Sequence, residues 1–289
     1  MTTVAVLGIG TMGAAMAANI AAADMELRVW NRTRELAEPL AKTGAQVCDS
    51  PESACQDADV VLTTLANEAI TAEVMDTARG GFDDRSVWVQ SCTVSPEGSR
   101  RLGKLADRLH IAYVEAPLLG TKEPAVAGTL TVLAACRPPE SRARVQPVFD
   151  AVGSRTVWLD EIGQPSALKL AYNAWVLASV EGISESLTLA SALGVDPMLL
   201  IEAFKGSGVD SDYVQNKGPK MVDDDLDTPS FPLQAAAKDA GLITDAARAA
   251  GLRLGIAETV RERLEAAVAD GLGRADVAAV YRLSRTATS

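Results

Sequence analysis

Histidine is nearly missing from this chain. There is one in 289 residues, His110, which leaves too few for a His-rich metal site. It stands just before an apolar run and reads as a surface or strand-edge residue. Cysteine is scarce too. The four (Cys48, Cys55, Cys92 and Cys136) show no C-x-x-C spacing and read as free thiols in a reducing cytoplasm. Positive charge is short: 27 Lys and Arg face 38 Asp and Glu, a net charge of −11. That argues against a nucleic acid or an anionic membrane as partner, although a small anionic ligand needs only a local patch. The chain lacks repeats, low-complexity tails and flexible linkers. No leader is expected, because Met1 runs directly into a strand pattern and a glycine turn.

What is present is enough for two domains. The length exceeds one ordinary core, and hydrophobic residues make up 48%. Thr3–Leu7 is an apolar strand-like run. Gly8-Ile9-Gly10-Thr11-Met12-Gly13 follows as G-x-G-x-x-G, and Ala14–Ala23 is a strong helix former. Strand, glycine turn and helix in that order predict a dinucleotide site. Gly8 permits the tight turn, Gly10 lets a pyrophosphate approach the backbone, and Gly13 lets the helix pack on the sheet. The helix start then offers free N–H groups to the phosphates.

The second strand, Glu26–Trp30, ends in Asn31-Arg32-Thr33. An NAD site usually has an acid near here for the ribose 2′-hydroxyl, and there is none. Arg32 can pair with a 2′-phosphate, and Asn31 and Thr33 can donate hydrogen bonds. This favours NADP(H) over NAD(H). Thr33 can also cap a helix over Arg34–Lys42, with Arg32 solvated. Further strands are expected over Asp59–Leu65, Arg85–Gln90, Ile111–Glu115, Leu130–Ala134 and Thr156–Leu159. Ser95 and Pro96 look like an N-cap and a first helical residue. Loops after strand ends form the ligand crevice in such sheets, so Leu65, Ala66 and Thr93 are cofactor candidates by position. Ala116–Thr121 reads as a loop rich in backbone N–H. A doubly wound α/β domain over 1–162 accounts for all of this.

From 163 to 289 strand signals fade, and an all-α domain is expected. Its organising stretch is Ile162–Leu193. Gly163 breaks the chain, Pro165 suits a first turn, and one long helix follows, too polar to span a bilayer. Leu170, Trp175, Val176, Leu177 and Val180 suggest that it is mostly buried. Lys169 and Asn173 share a face one turn apart. A buried Lys is costly unless paired, so taken alone Lys169 reads as a snorkelling side chain. Further helices are expected over Asp196–Lys205, Asp212–Met221, Phe231–Ala250, Gly255–Ala269 and Asp276–Arg285. Asp223–Asp227 reads as a solvated acidic loop.

Six segments in order (GIGTMGAAMAANI, NRT, SCTVSP, EAPLLGTKEPAVAGTLTVLAA, GQPSALKLAYN and AAAKDAGL) give a match almost end to end. On them the chain resembles the β-hydroxyacid dehydrogenases, the group of 3-hydroxyisobutyrate dehydrogenase and the glyoxylate/succinic semialdehyde reductases. The resemblance implies a Rossmann domain of the 6-phosphogluconate dehydrogenase NAD-binding type, a long interdomain helix and a helical C-terminal domain. It implies an active site in the cleft and a homo-oligomer, a homodimer in the simplest case. Lys169 is implied as the catalytic acid/base and Asn173 as its substrate-orienting neighbour. Lys238 is implied to approach nicotinamide or substrate, with Asp239 beside it.

The chemistry agrees. Hydride delivery to a carbonyl leaves a developing alkoxide, which an ammonium can stabilise and protonate. In the other direction the same Lys must be neutral, which burial favours. One departure stands out. The family's substrate loop commonly reads Asp-Ala-Pro-Val-Ser-Gly-Gly, where this chain has Glu115-Ala116-Pro117-Leu118-Leu119-Gly120-Thr121. Leu119 removes a hydroxyl donor and adds apolar bulk, while Gly120 and Thr121 can still donate. TKEPAVAGTL is closer to the semialdehyde reductase branch. Two other readings stay open: an imine reductase, against which the retained Lys169 speaks, and a catalytically silent cofactor-binding scaffold.

Overall fold

No residue of β1 (Thr3–Leu7) is exposed. Successive side chains of a strand point to opposite faces, so such a strand needs cover on both sides. β1 has it. Val4 and Val6 join one apolar cluster, Ala5 and Leu7 another. In this computed structural model, which describes residues 1–286, the two clusters are the two layers that sandwich a sheet. α1 (Thr11–Ala22) covers the first face with Met16, Ala17 and Ile20.

The chain then alternates. β2 (Glu26–Trp30), β3 (Gln46–Val47), β4 (Val60–Thr63), β5 (Val87–Gln90) and β6 (Ala112–Glu115) lie parallel with β1, in the order β3-β2-β1-β4-β5-β6. α2 (Pro51–Cys55), α3 (Glu68–Thr77) and α4 (Pro96–Leu109) cover the second face around Trp88 and Tyr113. Ser95 caps α4 by accepting from the Gly98 N–H, with Pro96 in the first turn as expected. The reversal of strand order beside β1 is the switch point at which open α/β sheets bind ligands.

One expected helix and one expected loop differ. The stretch Arg34–Lys42 forms short 3-10 turns at Arg34–Leu36 and Glu38–Thr43, not one α-helix. Pro39 explains this: it has no N–H for the Glu35 carbonyl, and its ring would clash there. Ala116–Thr121 is partly a strand. β7 (Leu118–Leu119) pairs with β8 (Leu130–Arg137), and so does β6. The register is unbroken from Tyr113↔Arg137 through Glu115↔Ala135 to Leu119↔Thr131. β6 and β7 are thus one antiparallel edge interrupted only at Ala116 and Pro117. Between β7 and β8 lies α5 (Lys122–Val126), and α6 (Ser141–Val152) precedes β9 (Gly153–Trp158), which runs parallel to β8. β3 was not expected; β1 and β2 match the expected runs, and β4, β5, β6, β8 and β9 overlap theirs and differ at their ends.

The chain divides into two compact units at Lys169/Leu170, inside α7 (Gln164–Ala192). The second unit is helical: α8 (Pro197–Phe204), α9 (Asp212–Val222), α10 (Leu233–Ala249), α11 (Gly255–Ala269) and α12 (Val280–Thr286). Leu170, Leu177, Val180, Ile183 and Leu187 of α7 enter its core. Trp175 does not. It is 76% exposed, on the opposite side of the helix from the buried Val176, Leu177 and Val180 stripe, and so corrects the expectation that all five apolar residues would be buried. The acidic loop is also more than solvated. Leu226 is fully buried, and Arg282 grips Asp224. Among the described residues no helix is long and apolar enough to cross a membrane, and no His/Cys/Asp/Glu cluster could hold a metal.

In the second unit Lys217 and Asp276 form a buried ion pair. Lys217 Nζ lies 2.7 Å from Asp276 Oδ1 and donates also to Ser230. Asp276 accepts further from the N–H groups of Ser230, Phe231 and Ala278. Burial pushes the Asp276 carboxyl up, but Lys217 and these donors outweigh it and hold the group below its ordinary value. A depressed folded-state value stabilises the fold above about pH 4, and that gain is lost as pH falls below it. Lys217→Met leaves the carboxylate buried without its cation and should cost about 3–5 kcal/mol in urea unfolding at pH 7. The wild-type midpoint should also fall more steeply than the variant's between pH 5 and pH 3. Parallel slopes would show that Lys217 does not hold Asp276 ionised.

Candidate active site

The glycine turn is fixed by crowding. Gly8 has φ +104°, in the left-handed region that favours glycine, and its N–H donates to the Trp30 carbonyl at 2.9 Å. A Cβ on Gly13 would stand 2.0 Å from the Gly8 oxygen, so only glycine lets α1 begin this close to β1. A Cβ on Gly10 would meet nothing within 4 Å. The space beside Gly10 is therefore open, and internal packing does not require a glycine there. It occupies the N-cap position of α1 without a side chain to cap it, and Ala14 is the first N–H to bond its carbonyl. Thr11 is exposed, while Ile9 is buried under the turn. Met12 packs against the sheet cluster. A turn with uncapped N–H groups over open space fits a pyrophosphate.

Asn31 holds this turn. Its Oδ1 accepts from the Ile9 N–H at 2.9 Å, and its Nδ2 donates to the Thr33 carbonyl at 2.8 Å. The Asn31 amide is thus committed to the backbone on both sides. Thr33 stands at the start of the 3-10 turn, but its side chain makes no capping bond there. Arg32 is exposed and makes no ion pair or side-chain hydrogen bond among the described residues. Its neighbour Arg34 is held by Asp49 and Glu38. Leu65 borders the glycine turn, since its Cδ2 would be 2.9 Å from a Cβ on Gly8. Ala66 is exposed beside it, and Thr93 is half-buried after β5.

The stretch after β6 carries Leu119, Gly120 and Thr121. Leu119 is half-buried at the end of β7. Gly120 has φ +125°, and a Cβ there would come 2.7 Å from Leu130, so the chain can turn here only through glycine. The Thr121 hydroxyl already donates to Glu123 at 3.0 Å.

On α7, Lys169 is 8% exposed and lies in the first unit. Asn173, one turn on, is 3% exposed and lies in the second. There its Nδ2 donates to Asp239 Oδ2 at 2.7 Å. That bond sets the amide, so its oxygen faces away from the carboxylate. Lys238 Nζ is 3.0 Å from the other oxygen, Asp239 Oδ1, without the alignment of a hydrogen bond. The second unit therefore gathers Asn173, Lys238 and Asp239 from α7 and α10.

Comparison with known proteins gives the family. Residues 3–160 match the family described as the NAD-binding domain of 6-phosphogluconate dehydrogenase. Residues 163–284 match that of NADP-dependent 3-hydroxyisobutyrate dehydrogenase. The chain belongs to the β-hydroxyacid dehydrogenase family. A glyoxylate/succinic semialdehyde reductase of Arabidopsis thaliana is 29% identical over 98% of this chain and 79% of its own. A 3-hydroxyisobutyrate dehydrogenase of Salmonella typhimurium superposes with a TM-score of 0.90 at 23% identity, over 98% of this chain and all of that one. One from Mycobacterium tuberculosis, solved with L-serine, gives 0.87 at 25% identity, over 99% and 100%. As a β-hydroxyacid dehydrogenase, the chain is an oxidoreductase with a nicotinamide cofactor of the NAD(P) type.

Two features of this β-hydroxyacid dehydrogenase were missed from sequence. One is the structural engagement of Asn31, which only the β1–β2 pairing brings to Ile9. The other is Glu115, fully buried and bonded to the chain at Gly163 and Ser166. A charge closing an otherwise apolar strand, Ala112–Glu115, was the available signal.

Proposed function

We propose that this chain is an NADP(H)-dependent reductase of short aldehydes or semialdehydes, running in reverse as an alcohol dehydrogenase. Lys169 is its acid/base. The observation that carries the reading is a Lys 92% removed from solvent on a helix face shared with a buried Asn. The side chain does not snorkel to the surface. The 29% identical semialdehyde reductase supports the substrate class.

Bound nicotinamide supplies or takes up the hydride. Lys169 donates a proton to the carbonyl oxygen as negative charge develops there, and in reverse takes it from the alcohol. Asn173, fixed by Asp239, orients the substrate, and Lys238 meets an anionic group of substrate or cofactor. Leu119 presents apolar surface, so the preferred substrate is less polar or bulkier at that end than a simple hydroxy acid. Gly120 contributes its backbone N–H. With its hydroxyl turned to Glu123, Thr121 contributes less. A protonated Lys169 would repel an iminium, which disfavours imine reduction.

For the cofactor, residues 1–162 hold the dinucleotide. Gly8–Gly13 take the pyrophosphate, Leu65, Ala66 and Thr93 border it, and Arg32 reads the 2′-phosphate. The free guanidinium supports this, with the Thr33 hydroxyl beside it. Residues 163–289 shape the substrate end and bind a second copy. Tyr172, Trp175, Ser179, Gly182, Ser186 and Leu189 form a partly exposed stripe on α7, spaced alternately three and four residues apart. The spacing is symmetric about its centre, so two antiparallel copies would match each other.

Three outcomes check these readings. Arg32→Ala should weaken NADP(H) by a charge-assisted bond, about 1.5–3 kcal/mol, and leave NAD(H) unchanged. Asn31→Ala should weaken both coenzymes alike, because it loosens the turn and not the phosphate contact. Titration of each coenzyme separates the two, and an equal loss in Arg32→Ala removes Arg32 from the phosphate. Sedimentation at rising concentration should find wild type associated and Trp175→Lys shifted to monomer. Identical masses would take this face out of the interface. Lys169→Met should keep NADPH affinity and slow single-turnover reduction about 10²–10⁴-fold or more. An unchanged rate on the best substrate, from a panel of aldehydes, keto acids and imines, would refute the mechanism.

A further inference from the structure

The start of α7 lacks a cap of its own. Its N-cap residue is Gly163, which has φ +100° and no side chain to offer. The first N–H groups of a helix have no partner inside it and must find one elsewhere. Here the Gln164 N–H goes to the Glu161 carbonyl at 3.1 Å, and Pro165 has none. Ala167 makes the first internal bond, to the Gly163 carbonyl at 3.0 Å. That leaves Gly163 and Ser166. Both donate to one side chain some fifty residues earlier: Gly163 N–H to Glu115 Oε2 at 2.5 Å and Ser166 N–H to Glu115 Oε1 at 2.8 Å. Glu115 is 0% exposed, and the Ser166 hydroxyl takes no part, being without a hydrogen-bond partner.

One carboxylate therefore replaces the missing cap with both its oxygens. It also lies against the positive end of a 29-residue helix dipole, where a negative charge is favoured. Two consequences follow for the proposed chemistry. Lys169 comes three residues after Ser166, on the same face and about 4.5 Å along the axis. Whatever fixes Ser166 fixes the base of the Lys169 side chain. At its other end, Glu115 closes β6 and leads through Ala116 and Pro117 into β7, in the same register with β8. The residue thus links the Leu119–Thr121 stretch to the helix bearing the proton donor.

We infer that Glu115 is a positioning residue that sets Lys169 relative to the Leu119–Thr121 loop by capping α7 from β6. The inference rests on the reading of Lys169 as the acid. The length of the Glu115 side chain thus sets the separation of β6 and α7. Glu115→Gln keeps the length but turns an NH₂ toward a backbone N–H, so one of the two bonds is lost. Glu115→Asp keeps the charge and retracts the carboxylate.

The test is a double-mutant comparison on the full chain: wild type, Glu115→Gln, Glu115→Asp, Lys169→Met and the Glu115/Lys169 double variants. Each is measured for thermal midpoint, NADPH affinity, KM, and single-turnover reduction of the fastest aldehyde. Glu115→Gln should keep NADPH affinity within about twofold. Its hydride-transfer rate should drop on the order of 10–100-fold, as a displacement near 1 Å does, with KM little changed. Glu115→Asp should fall between it and wild type. On the Lys169→Met background, either Glu115 change should add less than about twofold, because the group it positions is gone. If Glu115→Gln does not fold, Glu115→Asp alone and with Lys169→Met carries the same comparison. A Glu115 loss that persists in full without Lys169, or folded variants as fast as wild type, would overturn the inference and leave the acid role of Lys169 standing. A Lys169→Met rate equal to wild type would instead sink the acid role itself.

Discussion

The contact of Gly13 with the Gly8 carbonyl decides what the rest of the first unit can do. A methyl group there would lie 2.0 Å from oxygen, so α1 could not start where it does. Because it does, its uncapped first turn faces the strand ends, where phosphate charge is stabilised by N–H groups and the helix dipole. Thr64 closes the arrangement from β4 by donating its hydroxyl to the same Gly8 carbonyl. Asn31 closes it from β2 through Ile9. The ends of three neighbouring strands thus fix one turn.

The second unit uses polar groups differently. Each buried charge there is matched by partners on other elements. Asp276 joins Lys217 to the segment before α10, and Glu181 of α7 receives Arg263 of α11 at 2.7 Å, with Arg263 donating also to Ser284 of α12. Burial nevertheless raises the Glu181 carboxyl, and Arg263 only partly opposes it. Such pairs add little net stability over apolar packing, but removing one partner is expensive, so they restrict how the helices can be arranged. Asp239 belongs to the same pattern, with one difference: its partners Asn173 and Lys238 are residues with a proposed chemical task.

The sheet was legible because periodicity and glycine spacing are local signals. β1, the turn and α1 follow from one consecutive stretch, Thr3–Ala22, and the fully buried strands read as continuous apolar runs. What escaped needed contacts across the fold. β7 is two residues long, too short for any pattern, and exists because β6 delivers it to β8. The 3-10 turns replaced a helix because Pro39 outweighed the surrounding helix formers. Trp175 was misplaced because α7 is apolar on more than one side, and composition cannot tell the core face from a face that stays open. The roles of Lys169, Asn173 and Lys238 came only through the resemblance; the spacing of Lys169 and Asn173 alone favoured a snorkelling Lys.

Glu115 shows why a family pattern is not a substitute for geometry. The loop departs from its relatives at two nearby places, with Glu for Asp at 115 and Leu for Ser at 119. Read as letters, the first looks conservative and the second drastic. In the fold the order is less clear. Leu119 is half-buried at the end of a short strand, where a change of side chain alters what a ligand meets and little else. Glu115 is fully buried and holds the start of the longest helix by two backbone N–H groups, so one methylene there shifts where the helix begins. A larger apolar group at 119 takes up room on the same stretch of chain. On the proposed function the two departures fit one adjustment, to a bulkier, less polar substrate: the arm at 115 would set the start of the helix that carries Lys169, and the side chain at 119 would change what a ligand meets.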